Sequence, residues 1–167
     1  MTTTTTRTPS FTTRIDIEGD ARQELVGLLN QQMADNADLY SQTKQAHWNV
    51  KGLDFMQLHL LFDQVAEMIE GYTDEIAERV TALGGYATGT VRMAAEATTL
   101  PEFPVDARDG RANLEALSDR WSAYAASTRA AIERANQLGD PTTEDLFTEI
   151  SREVDKGLYF LEAHLQG

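Results

Sequence analysis

The sequence predicts an all-α protein, a four-helix bundle in which one of the three connections is long. Apolar residues recur at three- and four-residue steps through four long segments, a spacing that is typical of amphipathic helices and not of strands. Glycine or proline stands at the ends of these segments, and the interruption over residues 86–105 is much longer than the other two. The 167 residues are enough to bury one hydrophobic core, so we expect a single bundle.

The first two segments are expected to form a helical hairpin. Helix one begins near Asp20 and continues to about Val50, and Gly52 supplies its stop. Helix two extends from about Asp54 to Leu83 with its apolar residues on one stripe, and the glycine pair that follows ends it. The regularity of this stripe makes helix two the clearest helical pattern in the chain.

The second of the three connections differs from the other two. Residues 86–105 lose the helical period and contain Gly89, Pro101 and Pro104, which predicts a long connection with a short extra helix around Met93–Ala97. About 20 extended residues span up to roughly 66 Å, so this connection can cross from one end of the bundle to the other. Helices two and three can therefore be parallel.

Helices three and four are expected to be joined by a tight turn. Helix three carries apolar residues from Leu114 to Leu138 and ends at Gly139. Asp140 and Pro141 then supply an N-cap and a proline at the first position of helix four. Two short connections and one long connection describe a ferritin-like four-helix bundle.

Composition excludes several functional classes. The chain has 27 acidic and 14 basic residues, a net charge of −13, so its surface repels nucleic-acid phosphates and attracts cations. It has no cysteine, and any metal must therefore be bound by His, Asp and Glu. No apolar run approaches the roughly 20 residues of a membrane-spanning helix, and Met1–Thr13 lacks the apolar stretch of a secretory signal. We expect a cytoplasmic protein with no membrane partner.

Two pairs of candidate metal ligands lie on helix two. His59 and Asp63 stand four residues apart, and Asp74 and Glu78 repeat that step, so each pair shares one face of the helix. Eleven residues separate Asp63 from Asp74, which returns the second pair to within about 20° of the same face but moves it about 16 Å along the axis. One chain cannot place both pairs around one metal.

A second copy of the chain could bring the two ligand pairs together. A two-fold axis crossing helix two near Met68 and Ile69 would lay the same helix of a second chain antiparallel, with its Asp74–Glu78 pair opposite the His59–Asp63 pair. Each dimer would then have two identical shared sites, and His47, in the last turn of helix one, is a further candidate ligand. A polar stripe on an amphipathic helix is usually only the solvated face, and on spacing alone that alternative is equally strong.

The combination of motifs decides between these alternatives, because it resembles the Dps miniferritins, the DNA-binding proteins from starved cells. The matching segments are HWNVKG at His47–Gly52, LHLLFD at Leu58–Asp63, DEIAER at Asp74–Arg79 and the last helix from Asp145 to Gln166. The resemblance implies ferroxidase centres between two-fold-related chains in a hollow homo-dodecamer, which oxidises ferrous iron with hydrogen peroxide in preference to dioxygen and stores ferric oxide. The implied ligands are His47, His59, Asp63, Asp74 and Glu78.

The resemblance implies two further sets of residues. Trp48 matches a family tryptophan beside the centre, where a role in handling oxidising equivalents is proposed, and packing in the core is an equal alternative. The start of the last helix lines acidic three-fold pores in the family, which points to Asp140, Glu144, Asp145 or Glu149. Acidic residues at a helix N-terminus also complement the helix dipole, so a purely structural role is the alternative for these four.

This chain departs from the family in its tail. Residues 1–18, predicted to be flexible and to precede a bundle domain at 19–167, contain only Arg7 and Arg14 as basic groups. DNA binding is therefore expected to be weak or absent, although a DNA-binding protein that protects the nucleoid remains the alternative function. A conventional ferritin is excluded because no Glu-x-x-His step occurs. His164 has no paired ligand and is expected at the surface or an interface.

Overall fold

The computed structural model describes residues 9–166 and confirms the all-α prediction. Its helices are α1 (Gly19–Asn49), α2 (Phe55–Glu70), α3 (Tyr72–Ala82), α4 (Val91–Ala97), α5 (Gly110–Gln137) and α6 (Pro141–Glu162). The bundle consists of four helices, which are α1, the consecutive pair α2 and α3, α5, and α6. The short α4 is the extra helix expected in the long connection. None of the helices described is long and apolar enough to cross a membrane.

The start of the chain lies against the bundle from residue 11 onward. The Phe11 backbone amide donates to the Gly84 carbonyl oxygen at 2.8 Å, and Ile15 and Ile17 pack against the core. Of the predicted flexible tail, residues 1–8 lie outside the described residues. The domain boundary after residue 18 remains a prediction.

The predicted second helix is interrupted at Gly71, so the prediction of one continuous helix was wrong at this point. The Gly71 backbone keeps right-handed helical angles, φ −67° and ψ −27°, which means that α3 continues close to the direction of α2. The buried Asn36 side chain donates to the Ile69 carbonyl oxygen and to the Thr73 hydroxyl, each at 2.9 Å. A side chain inserted into the helical hydrogen-bond ladder is a recognised cause of such a local break.

The predicted helix stops are confirmed by backbone geometry. Gly52, Gly84 and Gly139 have φ values of +122°, +82° and +74°, which side chains other than glycine rarely adopt. After Gly139, the Asp140 carboxylate accepts hydrogen bonds from the Thr142 and Thr143 backbone amides and so caps α6 as expected.

Contacts between helices establish their directions. α1 is antiparallel both to the α2–α3 segment and to α5. Residues near the end of α1 contact residues near the start of each of these segments, and residues earlier in α1 contact residues nearer their ends. The pairs are Lys44 with Asp63, Asn36 with Ile69, Gln42 with Arg120, and Glu24 with Arg134. The second and third bundle helices are therefore parallel, an arrangement that the length of the connection allows.

Buried polar side chains hold the long connection against the bundle. The fully buried Asp35 carboxylate accepts from the Thr99 backbone amide at 2.6 Å and from the hydroxyls of Thr98 and Thr99 at 3.3 and 3.1 Å. Arg120 of α5, also buried, donates to the Glu102 carbonyl oxygen at 2.5 Å. The connection is thereby anchored to both α1 and α5 while it crosses from one end of the bundle to the other.

Among the described helices, α5 and α6 make the most extensive contact. Trp121 is fully buried, its indole N–H donates to the Thr43 hydroxyl at 3.1 Å, and its ring lies against the backbone of Gly157. A Cβ atom at Gly157 would overlap this ring, whereas a Cβ at Gly27 of α1 would meet no atom within 4 Å. The two helical glycines therefore form a matched pair for mutation.

We expect Gly157→Ala to lower the free energy of unfolding by about 1–3 kcal/mol, because the Trp121 ring must move to admit the methyl group. Gly27→Ala is expected to raise it by about 0.5–1 kcal/mol, since alanine restricts the unfolded chain and fits here without a clash. Guanidinium denaturation at one fixed protein concentration measures both changes. Equal changes at the two positions would contradict the packing argument.

Candidate metal centre

The predicted ligands His47 and His59 meet where α1 ends beside the start of α2. The turn at Gly52 reverses the chain between them, and the two imidazole rings stack with centroids 3.7 Å apart and an interplanar angle of 19°. His47 is 9% exposed and His59 is half-buried. The short turn thus places two nitrogen ligands of the type that iron and zinc use next to each other.

Each histidine is oriented by the backbone of the other. His47 Nδ1 lies 2.7 Å from the His59 carbonyl oxygen, and His59 Nδ1 lies 2.9 Å from the His47 carbonyl oxygen. A carbonyl oxygen only accepts hydrogen bonds, so both Nδ1 atoms must donate and carry the proton. In the neutral rings the Nε2 lone pairs are then free. A ligating histidine has this arrangement, with one nitrogen hydrogen-bonded to the protein and the other available to the metal.

Asp63 adds a carboxylate beside these rings. It lies one turn after His59 on α2, and its Oδ1 is 3.9 Å from His47 Nδ1. Lys44, one turn before His47 on α1, forms a close ion pair with the same carboxylate oxygen. The hydrogen bond from Lys44 holds the pKa of Asp63 below its ordinary value and outweighs the opposing effect of partial burial. Asp63 is therefore ionised at neutral pH.

Asp74 and Glu78 lie apart from this cluster, on α3. Both are exposed, and the residues between and around them that face the core, Tyr72, Ile76 and Val80, are buried. Among residues 9–166, no three His, Asp or Glu side chains of a single chain are close enough to hold a metal. Completion of the site by the Asp74–Glu78 pair of a second chain remains a prediction.

Comparison with known proteins identifies the family to which this geometry belongs. A family model described as a ferritin-like domain matches residues 26–167. A DNA protection during starvation protein of Agrobacterium fabrum is 42% identical over 154 residues, 92% of this chain and 95% of the relative. The chain belongs to the Dps family.

Solved structures of Dps proteins share the fold across their length. DpsC from Streptomyces coelicolor matches with a TM-score of 0.90 at 31% identity, covering 98% of this chain and 96% of that chain. The Dps protein of Vibrio cholerae O1, described as a member of a broad superfamily of ferritin-like diiron-carboxylate proteins, matches with a TM-score of 0.85 at 27% identity. That match covers 96% of this chain and all of the other. The ferritin-like bundle predicted from the sequence is confirmed.

Several apolar side chains close in sequence to His47 and His59 are exposed in this Dps chain. Trp48, Leu53, Met56 and Leu60 are 61%, 106%, 61% and 58% exposed, and we call these four residues the apolar rim. Within one protomer Trp48 is thus not packed in the core, which was the alternative to a role beside the centre. Several large apolar side chains exposed near one another are typical of a protein interface.

The four pore candidates of the Dps family occupy different environments. Asp140 is 1% exposed, and Arg79 Nη2 donates to both of its carboxylate oxygens at 2.8 Å. Burial by itself raises the pKa of Asp140, but the hydrogen bonds from Arg79 and Thr143 outweigh it and hold the pKa below its ordinary value. Glu144 is half-buried, whereas Asp145 and Glu149 are exposed. The structural role that was the alternative for these residues therefore describes Asp140 well.

Two other polar residues of the Dps chain, His164 and Lys44, bear on the site. His164 is exposed and lies just after the end of α6, where its Nδ1 bonds the Phe160 carbonyl oxygen at 2.7 Å, which agrees with the expected surface position. Lys44 is a residue of the centre that our sequence analysis missed. It stands three residues before His47 and so shares a face of α1 with it, a spacing that could have revealed its position.

Proposed function

We propose that this Dps protein oxidises ferrous iron at ferroxidase centres shared between two-fold-related chains and stores the ferric product in a hollow homo-dodecamer. The observation that carries the proposal is the paired imidazoles of His47 and His59, whose Nδ1 atoms are both bound to backbone carbonyls and whose Nε2 lone pairs are therefore free. Iron storage and DNA protection are the general activities of the family, and imidazole and carboxylate donors are suitable ligands for iron.

The proposed chemistry follows from the ligands. In the proposed centre, the two imidazoles and the Asp63 carboxylate supply ligands from one chain, which do not hold a metal by themselves in the described part of the chain. The Asp74–Glu78 pair of a second chain supplies further carboxylates. Carboxylates favour ferric over ferrous iron because they bring negative charge to the more highly charged ion, so oxidation is promoted. Two ferrous ions give two electrons to one hydrogen peroxide, which takes up two protons and leaves as two water molecules. Dioxygen is the alternative oxidant.

The assembly is proposed from the surface around the histidines. The apolar rim is exposed in one protomer and lies beside ligands that one chain cannot complete. A two-fold contact across α2 would bury these side chains and bring the two halves of each centre together. Trp48, next to His47 in this rim, is then placed beside the centre, where we propose that it takes part in handling oxidising equivalents. Six such dimers would form the dodecamer.

The excess of acidic residues suits the handling of iron. With a net charge of −13, each chain attracts ferrous ions, and carboxylates that face the interior of a shell would favour deposition of ferric oxide. We propose that Glu144, Asp145 and Glu149 line the three-fold pores. Asp140 is left out of this set because Arg79 already neutralises its buried carboxylate.

DNA binding is not part of this proposal. The charge of −13 opposes contact with phosphates, and residues 1–18 contain only two basic side chains. We therefore propose that this member acts on iron in the cytoplasm, and that any association with the nucleoid is weak.

The double variant His59→Ala with Asp63→Ala tests the proposal. We expect the rate of ferric absorbance after mixing with ferrous iron and hydrogen peroxide to fall to the rate without protein, because half of each centre is lost. His164→Ala is the matched control, since this exposed histidine has no neighbouring ligand pair, and its rate should equal that of the wild type. Wild-type rates in the double variant would place the oxidation elsewhere.

A further inference from the structure

A lysine lies beside the carboxylate of the proposed centre. Lys44 extends from α1 across to α2, where its ammonium group forms an ion pair with Asp63 Oδ1. The two side chains are 21% and 37% exposed, so the pair is partly shielded from water. Among the lysines and arginines of residues 9–166, Lys44 is the one paired with a predicted ferroxidase ligand.

We propose that Lys44 is a built-in competitor for the metal at Asp63, so that ferrous iron binds there only by displacing the lysine ammonium. This inference rests on the proposed function, since it requires Asp63 to be a ligand. A dication on the Asp63 carboxylate and an ammonium on the same group would repel each other at a separation of about 4 Å. Binding is therefore an exchange of one cation for another and not the filling of an empty anionic site.

The displaced ammonium has other acceptors within reach. Glu67 lies one turn beyond Asp63 on the same face of α2, it is exposed, and its negative charge acts on Lys44. Tyr40, one turn before Lys44 on α1, bonds Glu70 at 3.3 Å and offers a hydroxyl oxygen. The long flexible side chain of lysine can move between such positions because it is held at one end only. The exchange is therefore reversible and does not require the helices to move.

The consequence is that the Asp63 position fills only above a certain concentration of ferrous iron. The competing ammonium lowers the affinity of the Asp63 position for any divalent cation without removing a ligand. At low metal concentration the Lys44 ammonium remains paired with Asp63, and ferrous iron replaces it when the metal is abundant. The lysine thus sets how much iron is needed before the centre begins to oxidise it.

Titration of the full-length assembly with cobalt(II) tests the inference, because this dication has the charge of ferrous iron and binds without the oxidation step. We expect Lys44→Gln to tighten cobalt binding roughly two- to five-fold, the range that corresponds to loss of a competing ion pair of this exposure. Lys44→Arg keeps the positive charge and should bind as the wild type does. Lys51→Gln is the matched control, because Lys51 Nζ bonds the carbonyl oxygens of Val50 and Trp48 and forms no ion pair with a carboxylate among the described residues.

The direction of the change makes the test sharp. A gain in affinity cannot result from damage to the fold, and Lys44→Met provides the same neutral replacement if the glutamine variant yields little protein. Unchanged or weaker cobalt binding in the neutral variants would overturn the inference. If instead His59→Ala with Asp63→Ala binds cobalt as the wild type does, the proposed function fails and not only the role of Lys44.

Discussion

Mixing two inactive variants of this Dps chain should restore about a quarter of the wild-type rate of iron oxidation. The first variant, His59→Ala with Asp63→Ala, lacks one half of the proposed centre, and the second, Asp74→Ala with Glu78→Ala, lacks the other half. Each variant alone has no intact centre, so we expect both to oxidise iron no faster than a solution without protein. The rate is measured from ferric absorbance after addition of ferrous iron and hydrogen peroxide.

The expected fraction follows from two-fold symmetry. In a mixed dimer, one site combines the intact histidine half of the second variant with the intact Asp74–Glu78 pair of the first, and the other site has lost both halves. Random pairing makes half of the dimers mixed, and half of their sites are intact, which is about a quarter of all sites. The two variants must be unfolded and refolded together so that their chains exchange.

Controls separate this result from other causes of activity. Each variant refolded by itself should remain inactive, and the mixture should recover activity only after joint refolding. An inactive mixture of correctly assembled chains would show that the two pairs do not complete one another across the interface. Full activity of the Asp74→Ala with Glu78→Ala variant alone would show that this pair is not part of the centre.

Asp140→Asn is expected to be the most destabilising of the single substitutions considered, with a loss of roughly 3–5 kcal/mol in the free energy of unfolding. Asp140 is 1% exposed, and the Arg79 side chain that it neutralises is 15% exposed. The asparagine variant would leave the Arg79 charge buried without its counter-charge. Denaturant unfolding of the wild type and the variant measures the difference.

An exposed ion pair provides the control for Asp140. Arg129 and Asp155 also form an ion pair, but their side chains are 53% and 52% exposed. Asp155→Asn is therefore expected to cost no more than about 1 kcal/mol. A cost for Asp140→Asn as small as that for Asp155→Asn would contradict a stabilising role for the buried pair.

Low pH should remove the contribution of the Asp140 carboxylate to the free energy of unfolding. Its pKa in the folded protein lies below the ordinary value, because the hydrogen bonds from Arg79 and Thr143 outweigh the effect of burial. The stabilisation is therefore present above the unfolded pKa of about 4 and is lost as the pH falls through the folded pKa. The difference in stability between the wild type and Asp140→Asn should narrow below about pH 4. A difference that is independent of pH would mean that the carboxylate charge does not matter.

Much of this molecule could be predicted from the sequence because the signals are local. The apolar period of 3 to 4 residues predicted the helices, and glycines predicted their ends, since a positive φ at Gly52, Gly84 and Gly139 depends on the residue itself. The four-residue steps on helix two also placed each candidate ligand pair on one face. The meeting of His47 and His59 follows from the same local rules, because only a short turn separates α1 from α2.

Contacts between side chains distant in sequence could not be predicted in this way. Asn36 interrupts the second bundle helix at a point 33 residues further along the chain, and Arg79 reaches Asp140 across 61 residues. Lys44 pairs with Asp63 across the α1–α2 interface. Each contact depends on how two helices are rotated and shifted against each other.

The sequence by itself determined the helices, their ends, the parallel arrangement made possible by the long connection, and the types of atoms available to a metal. Only the tertiary structure decided that the two histidines orient each other through their backbones, that a lysine holds the neighbouring carboxylate, and that Asp140 is a buried counter-charge. The physical reason is the distance along the chain over which each effect acts. Helical periodicity depends on neighbours within about one turn, whereas the partner of a charged side chain depends on the packing of the whole bundle.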